Sequence, residues 1–166
     1  MILLAKNQLN EAPKLICDHT LEDTAHWLRA AGYDVQMPFN ALSDKQLLDM
    51  AVKSDRLLII NDSNIEDINR HSNQVISIRS SFIYEQLKEI SSNLSIDWTY
   101  RPFTRCMICN TELVKLNINQ WIDLPEKTQD KCVTSHGCPS CNRIYWAGEQ
   151  INRMVGQLES FKRRKW

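Results

Sequence analysis

The chain has 166 residues, 43% apolar and 24% charged, an ordinary globular composition with room for a domain of about 100 residues and a small module. No apolar run approaches the ~18 residues of a membrane span, and the opening Met1–Ala5 stretch is too short and lacks the basic lead of a signal peptide, so a cytoplasmic, reducing location is expected. The formal net charge is zero, but residues 1–100 hold 9 Lys+Arg against 14 Asp+Glu and residues 101–166 hold 11 against 6, so an acidic part precedes a basic one. That asymmetry fits either a carboxylate site beside a phosphate-attracting surface or ordinary solvated surface charge.

In chain order, residues 14–17 read as a short buried strand ended by Asp18. Residues 21–31 read as a helix, with Leu21, Ala25 and Leu28 on one face and Gly32 at the stop. Tyr33 to Met37 reads as a second strand, closed by Pro38. Ser43 and Gln46 form a capping-box pattern before a helix that turns Leu47, Leu48 and Ala51 inward. Residues 56–60 read as a strand, its run Leu57-Leu58-Ile59-Ile60 continuously apolar, the pattern of a strand covered on both faces of a parallel sheet. Residues 74–78 add a strand and 82–92 an amphipathic helix. Strands alternating with helices predict an α/β fold with a parallel sheet and right-handed crossovers. The expected division is an α/β domain over 1–95, a linker over 96–104, a metal module over 105–148, and a C-terminal helix with a basic tail over 149–166.

Ligands of open α/β sheets gather beyond the carboxyl ends of the strands. Asp18 follows one strand and Asp62 another, and each precedes a separate capping pattern, Thr20 with Asp23 and Ser63 with Glu66. Asp44 opens the intervening helix. If the three converge, a hard Mg²⁺ or Mn²⁺ ion is what makes clustered carboxylates tolerable, and such an ion suits phosphodiester hydrolysis. The competing reading is turn chemistry after a strand and a favourable helix dipole at Asp44. Asp34 is expected on the surface, and His19, beside Asp18, reads as exposed or as a substrate contact.

Cys106-Met107-Ile108-Cys109 and Cys138-Pro139-Ser140-Cys141 are two CxxC pairs at zinc-ribbon spacing. Four thiolates suit a closed tetrahedral Zn²⁺ site with a structural role. Asn110 and Asn142 follow the pairs in the same place, where a knuckle turn needs a positive φ that Asn tolerates. Cys17 reads as a small buried apolar residue and Cys132 as a loop cysteine. Arg105 and Arg143 flank the knuckles, and Lys162, Arg163, Arg164 and Lys165 form a terminal run between Phe161 and Trp166. All six are candidate phosphate contacts. Tyr145 and Trp146 could stack on bases or pack the ribbon against the larger domain.

These residues resemble a known family. Asp18-His19-Thr20-Leu21, Ala25-His26-Trp27-Leu28-Arg29 and Gly32-Tyr33-Asp34 are similar to the opening of the PIN-like ribonuclease domain at the C-terminus of Mut-seven type exonucleases. The likeness continues through Asp44, Leu47 and Leu48, the strand ending at Asn61-Asp62, and Phe103-Thr104-Arg105-Cys106. It closes with Cys138-Pro139-Ser140-Cys141, Tyr145-Trp146 and Arg153-Met154, covering about residues 14–154.

The resemblance implies a PIN-like fold, a zinc ribbon, and a Mg²⁺- or Mn²⁺-dependent ribonuclease with Asp18, Asp44 and Asp62 as its acids and RNA as its substrate. The chain departs from the family's usual pattern at Glu22, His26, Ile60 and Glu149-Gln150. The departures at Glu22, Ile60 and Glu149-Gln150 support an alternative, a catalytically inactive RNA- or protein-binding module on the same fold.

Overall fold

A computed structural model describes residues 12–61, 73–116, 135–164 and 166. Asp62, Lys165 and Cys132 lie outside the described residues. The chain folds as an α/β protein around a four-stranded parallel sheet made of β1 (Leu15–Cys17), β2 (Val35–Gln36), β3 (Leu57–Asn61) and β4 (Val75–Ile78). The strand order is β2-β1-β3-β4. Helices α1 (Glu22–Ala30), α2 (Asp44–Lys53) and α3 (Ile83–Asn93) flank it. A second, three-stranded antiparallel sheet joins β5 (Val114–Lys115), β6 (Ser135–Gly137) and β7 (Ile144–Trp146), and α4 (Glu149–Arg163) closes the chain.

The alternation of side chains along the strands sorts the core into two layers. Leu15, Cys17, Ile59, Ile76 and Ile78 face Ala25 and Leu28 of α1, Leu87 and Ile90 of α3, and Leu158 and Phe161 of α4. Ile16, Leu58, Ile60 and Val75 face Leu47, Leu48 and Ala51 of α2. With Leu58, Ile59 and Ile60 all buried, β3 is the doubly covered strand its sequence predicts. The Ser43–Gln46 capping box forms in full at the start of α2. The first helix differs from expectation. Thr20 does not cap it; a 3-10 turn over His19–Leu21 intervenes, and the Thr20 hydroxyl donates back to Asp18.

Residues 96–104, expected to be a linker, are packed onto the sheet domain. Trp98 is 2% exposed, and the Arg101 and Phe103 amides donate to the carbonyls of Ala31 and Ala30 at the end of α1. The basic tail is also anchored. Phe161 stacks edge-on against Trp27 and Trp98, both at 5.3 Å, and Trp166 packs on Phe161 at 5.6 Å. The terminal aromatics therefore belong to the main core and bring α4 back onto it.

Candidate functional site

The sheet has a switch point. From β1 the chain moves to one side to form β2, then crosses to the other side of β1 to form β3. The two crossovers part between the carboxyl ends of β1 and β3, where open α/β sheets place their ligands. Asp18 stands at that point. Its amide donates to the Ile59 carbonyl of β3 at 3.1 Å, and its carboxylate contacts His19 Nδ1 and accepts from Thr20 Oγ1, both at 2.6 Å.

Because β2 and β3 are parallel to β1, α2 must run back against the strands. Its N-terminus, and with it Asp44, therefore lies at the same carboxyl edge. Asn61 is the last residue of β3, and Asp62 follows it outside the described residues. Beside Asp18 on the α1–α3 side opens a cavity of about 460 Å³, lined by His19, Thr20, Glu22, Ser81, Phe82 and Gln86 among others. Phe82 is 77% exposed there.

Among the described residues, the one group of three or more His, Cys, Asp or Glu close enough to share an ion is Cys106, Cys109, Cys138 and Cys141, with all ligand atoms within 4.8 Å of one another. The two knuckles that carry them are built alike. Cys106 N–H donates to Thr111 O and Asn110 N–H to Cys106 O, at 2.8 and 2.9 Å; Cys138 N–H donates to Arg143 O and Asn142 N–H to Cys138 O, at 2.8 and 3.0 Å. Asn110 and Asn142 adopt the left-handed conformation at φ 68° and 57°, as their position after each pair predicts.

The sulfur set fits zinc. Cys106 and Cys141 Sγ lie 3.5 Å apart, and Cys109 and Cys138 Sγ 3.3 Å, close to the ~3.8 Å edge that four Zn–S bonds of ~2.3 Å would give. The thiols also influence one another's ionisation. Burial opposes ionisation of Cys109, but hydrogen bonds from Thr111, Cys138 and Cys106 outweigh it and draw the thiol down to about 6. Burial first, then the neighbouring thiols, push Cys141 up to about 12. Four such groups cannot all ionise together without a bound positive charge. Tyr145 is engaged here rather than exposed for stacking. Its hydroxyl lies 3.1 Å from Cys106 Sγ and accepts the Met107 amide at 3.2 Å. Cys17 is separate and inert, its thiol raised to about 12 by burial.

The first knuckle docks at the amino edge of the parallel sheet, opposite Asp18. Asn110 bonds both Asp34 and the Val35 amide. Arg56 grips the Asp34 carboxylate with two nitrogens at 2.9 and 3.0 Å and also donates to the Leu15 carbonyl. Asp34, expected on the surface, is thus the joint between sheet and ribbon. Burial would raise its carboxyl, but the bonds from Arg56 and Asn110 and the charges of Arg56 and Arg105 prevail and hold it below the usual range. Arg29, 2% exposed, reaches from α1 to the carbonyls of Val35, Met107 and Ile108. Sequence reasoning gave Arg29 and Arg56 no role, although Arg29 lies four residues after Ala25 on the buried stripe of α1.

The basic candidates separate into two groups. Arg105 is committed to the Asn110 carbonyl at 3.0 Å and to Glu112 at 3.1 Å. Lys162 donates to Thr99 at 2.7 Å and pairs with Asp97 at 3.6 Å. Arg143, Arg163 and Arg164 are exposed, and their side chains make no hydrogen bond or ion pair among the described residues.

No helix among the described residues is long and apolar enough to cross a membrane. No curated protein and no solved structure matches the chain. The family model described as the Mut7-C RNAse domain matches residues 13–158, a span that takes in Asp18 at the switch point, both knuckles and most of α4. With a parallel α/β sheet joined to a four-cysteine cluster over nearly its whole length, the chain belongs to the Mut7-C RNAse domain family.

Proposed function

We propose that the protein is a metal-dependent ribonuclease that hydrolyses RNA phosphodiester bonds at the carboxyl edge of its parallel sheet. The observation that carries this reading is the position of Asp18 at the switch point between β1 and β3, with the start of α2 on the same edge. Asp18, Asp44 and Asp62 would hold one or two Mg²⁺ or Mn²⁺ ions, whose chemistry is to activate water and neutralise charge on the leaving oxygen.

The chain's own residues do the rest. Thr20 and His19 fix the Asp18 carboxylate in one orientation. Asp44 stands in the first turn of α2, where the helix dipole suits an acidic side chain. The cavity lined by His19 and Phe82 offers room for a nucleotide beside the acid. The four cysteines would hold a structural Zn²⁺, and a reducing cytoplasm suits thiols kept free for a metal.

The test is cleavage of mixed RNA by the zinc-loaded protein with and without added Mn²⁺, together with Mn²⁺ binding by calorimetry. Cleavage that needs Mn²⁺ and is lost in Asp18→Asn and Asp62→Asn supports the reading. Intact RNA, with Mn²⁺ isotherms unchanged in both variants, refutes it and leaves a non-catalytic binding module.

A further inference from the structure

We propose that the groove between β7 and α4 is a binding site for an unpaired base of single-stranded RNA, remote from the carboxylate edge. This deepens the ribonuclease reading and rests on it for the choice of RNA. The groove has a volume of about 770 Å³, within the ordinary size of a ligand site. Its lining includes Trp146 on the ribbon side and Arg153, Met154 and Gln157 on the helix side, with Arg143 at the knuckle exit.

Of the two roles the sequence left open for Trp146, packing the ribbon onto the main domain is not the one seen: it belongs to neither buried cluster and stays part-exposed. Its ring lies against Gly148, where an added Cβ would come within 2.6 Å of the indole nitrogen, so the neighbouring backbone sets the ring's place. Gln150, Arg153, Met154 and Gln157 recur at i, i+3, i+4 and i+7, so α4 turns one stripe of amides, a guanidinium and a thioether toward the groove. The helix buries Leu158 and Phe161 in the main core, and Met154 packs at the edge of that core.

The chemistry of the wall selects the occupant. An indole face beside amide groups matches a base, which has a π-face and a hydrogen-bonding edge. Arg143 is exposed and has no side-chain partner among the described residues, and Arg153 meets only the exposed Glu149, at 3.2 Å. The Arg143 guanidinium is open to a phosphate, whereas Arg153 is held by Glu149 on the same wall. Met107, Ile108, Ile144 and Ile151 give the groove the apolar surface that the face of a base covers, and an apolar peptide laid there would leave the Arg143 charge without a partner. The ribbon joins the sheet at its amino edge through Asp34 and Asn110, whereas Asp18 lies at the carboxyl edge. The groove therefore holds substrate away from the acids and does not touch the scissile bond.

The test measures binding, not cleavage. A fluorescein-labelled single-stranded RNA of about ten nucleotides is titrated into the full-length zinc-loaded protein with no added Mg²⁺ or Mn²⁺. Trp146→Ala is expected to weaken binding about tenfold, with Trp146→Phe recovering most of it. Arg143→Gln, at an exposed position that the fold does not need, is expected to weaken binding several-fold and lower the salt slope by about one. Affinity indifferent to both changes overturns the proposal. An equal loss toward double-stranded RNA of the same length also overturns it, because paired bases cannot reach the indole. RNA binding that depends on Trp146 without any Mn²⁺-dependent cleavage would sink the ribonuclease reading and leave this site standing.

Discussion

Asn110 donates its side-chain amide to the Asp34 carboxylate at 2.7 Å and accepts the Val35 backbone N–H at 3.0 Å. One residue thus serves two ends. Its backbone at φ 68° closes the first knuckle, and its side chain bolts that knuckle to the amino edge of the parallel sheet. Asn142 does only the first job; it is exposed and its side chain has no partner among the described residues.

The two asparagines are therefore predicted to respond differently to the same change. Asn142→Gly keeps the left-handed turn and loses nothing else, so stability should move by less than about 0.5 kcal/mol. Asn110→Gly keeps the turn but strips donors and acceptors from a part-buried joint, and should cost about 1–3 kcal/mol. Urea denaturation of the two zinc-loaded variants checks this; equal effects would show that the joint carries no energy.

Asp34 makes stability depend on acid pH in a predictable direction. Its carboxyl is held below the usual range in the folded protein. The stabilisation is therefore present above the ordinary carboxylate pKa of about 3.9 and is lost as pH falls through the lower folded value. Asp34→Asn should lower stability at neutral pH and show a shallower acid decline than the parent. Comparing the two chains cancels the thiolate contribution that both share. Asp34→Ala should cost about 3–5 kcal/mol at neutral pH, because Arg56 would keep a buried charge without its counter-charge. Arg56 is 8% exposed, its Nε has no hydrogen-bond partner among the described residues, and without the carboxylate it would keep only the backbone carbonyls of Leu15 and residue 34. Parallel acid declines for parent and Asp34→Asn would exclude Asp34 as their source.

Sequence gave the local features and missed the long-range ones. The capping box at Ser43, the doubly covered β3 and the left-handed exits at Asn110 and Asn142 follow from residues within a few positions of each other. Asp34, by contrast, meets Arg56 across 22 positions and Asn110 across 76, and nothing in an isolated Asp signals either partner. Trp98 and Phe161 were hidden in the same way: each sits in a polar stretch, and only the return of α4 brings them into contact. Of the candidate site, the four cysteines were legible because ligand spacing is local. Asp18 was legible from its place after a strand, whereas its position at the switch point required the strand order.

Gly32 should tolerate no side chain. It sits at φ 100°, and an added Cβ would collide with the Arg101 carbonyl. That carbonyl belongs to the segment whose amides cap the end of α1, so it cannot retreat without breaking the Arg101 and Phe103 bonds. Gly32→Ala is predicted to lose more than about 2 kcal/mol, from left-handed strain and displaced backbone together. The readout is thermal melting followed by far-UV circular dichroism; a variant melting with the parent would mean the segment yields freely.

Metal removal should unfold the ribbon before the sheet. The ribbon offers little apolar burial of its own, since β5 is exposed and β7 only half-buried. Without a cation the clustered thiols oppose each other's ionisation, and the β6–β7 ladder loses the cross-link at its knuckle. The sheet keeps its two core layers, which hold no part of β5, β6 or β7. The first knuckle is an intermediate case. Arg29 still holds the carbonyls of Met107 and Ile108 at 2.9 and 2.7 Å, and Asn110 still holds Asp34. Hydrogen exchange on chelated protein, kept reduced, should therefore show protection lost over 135–146, reduced over 106–110 and retained over 57–61. Cobalt added back should restore it with the absorption of a tetrahedral thiolate site at a single equivalent per chain. Collapse of protection across β3 as well would mean that the metal holds the whole fold, and unchanged protection over 135–146 would mean that the cysteines hold none.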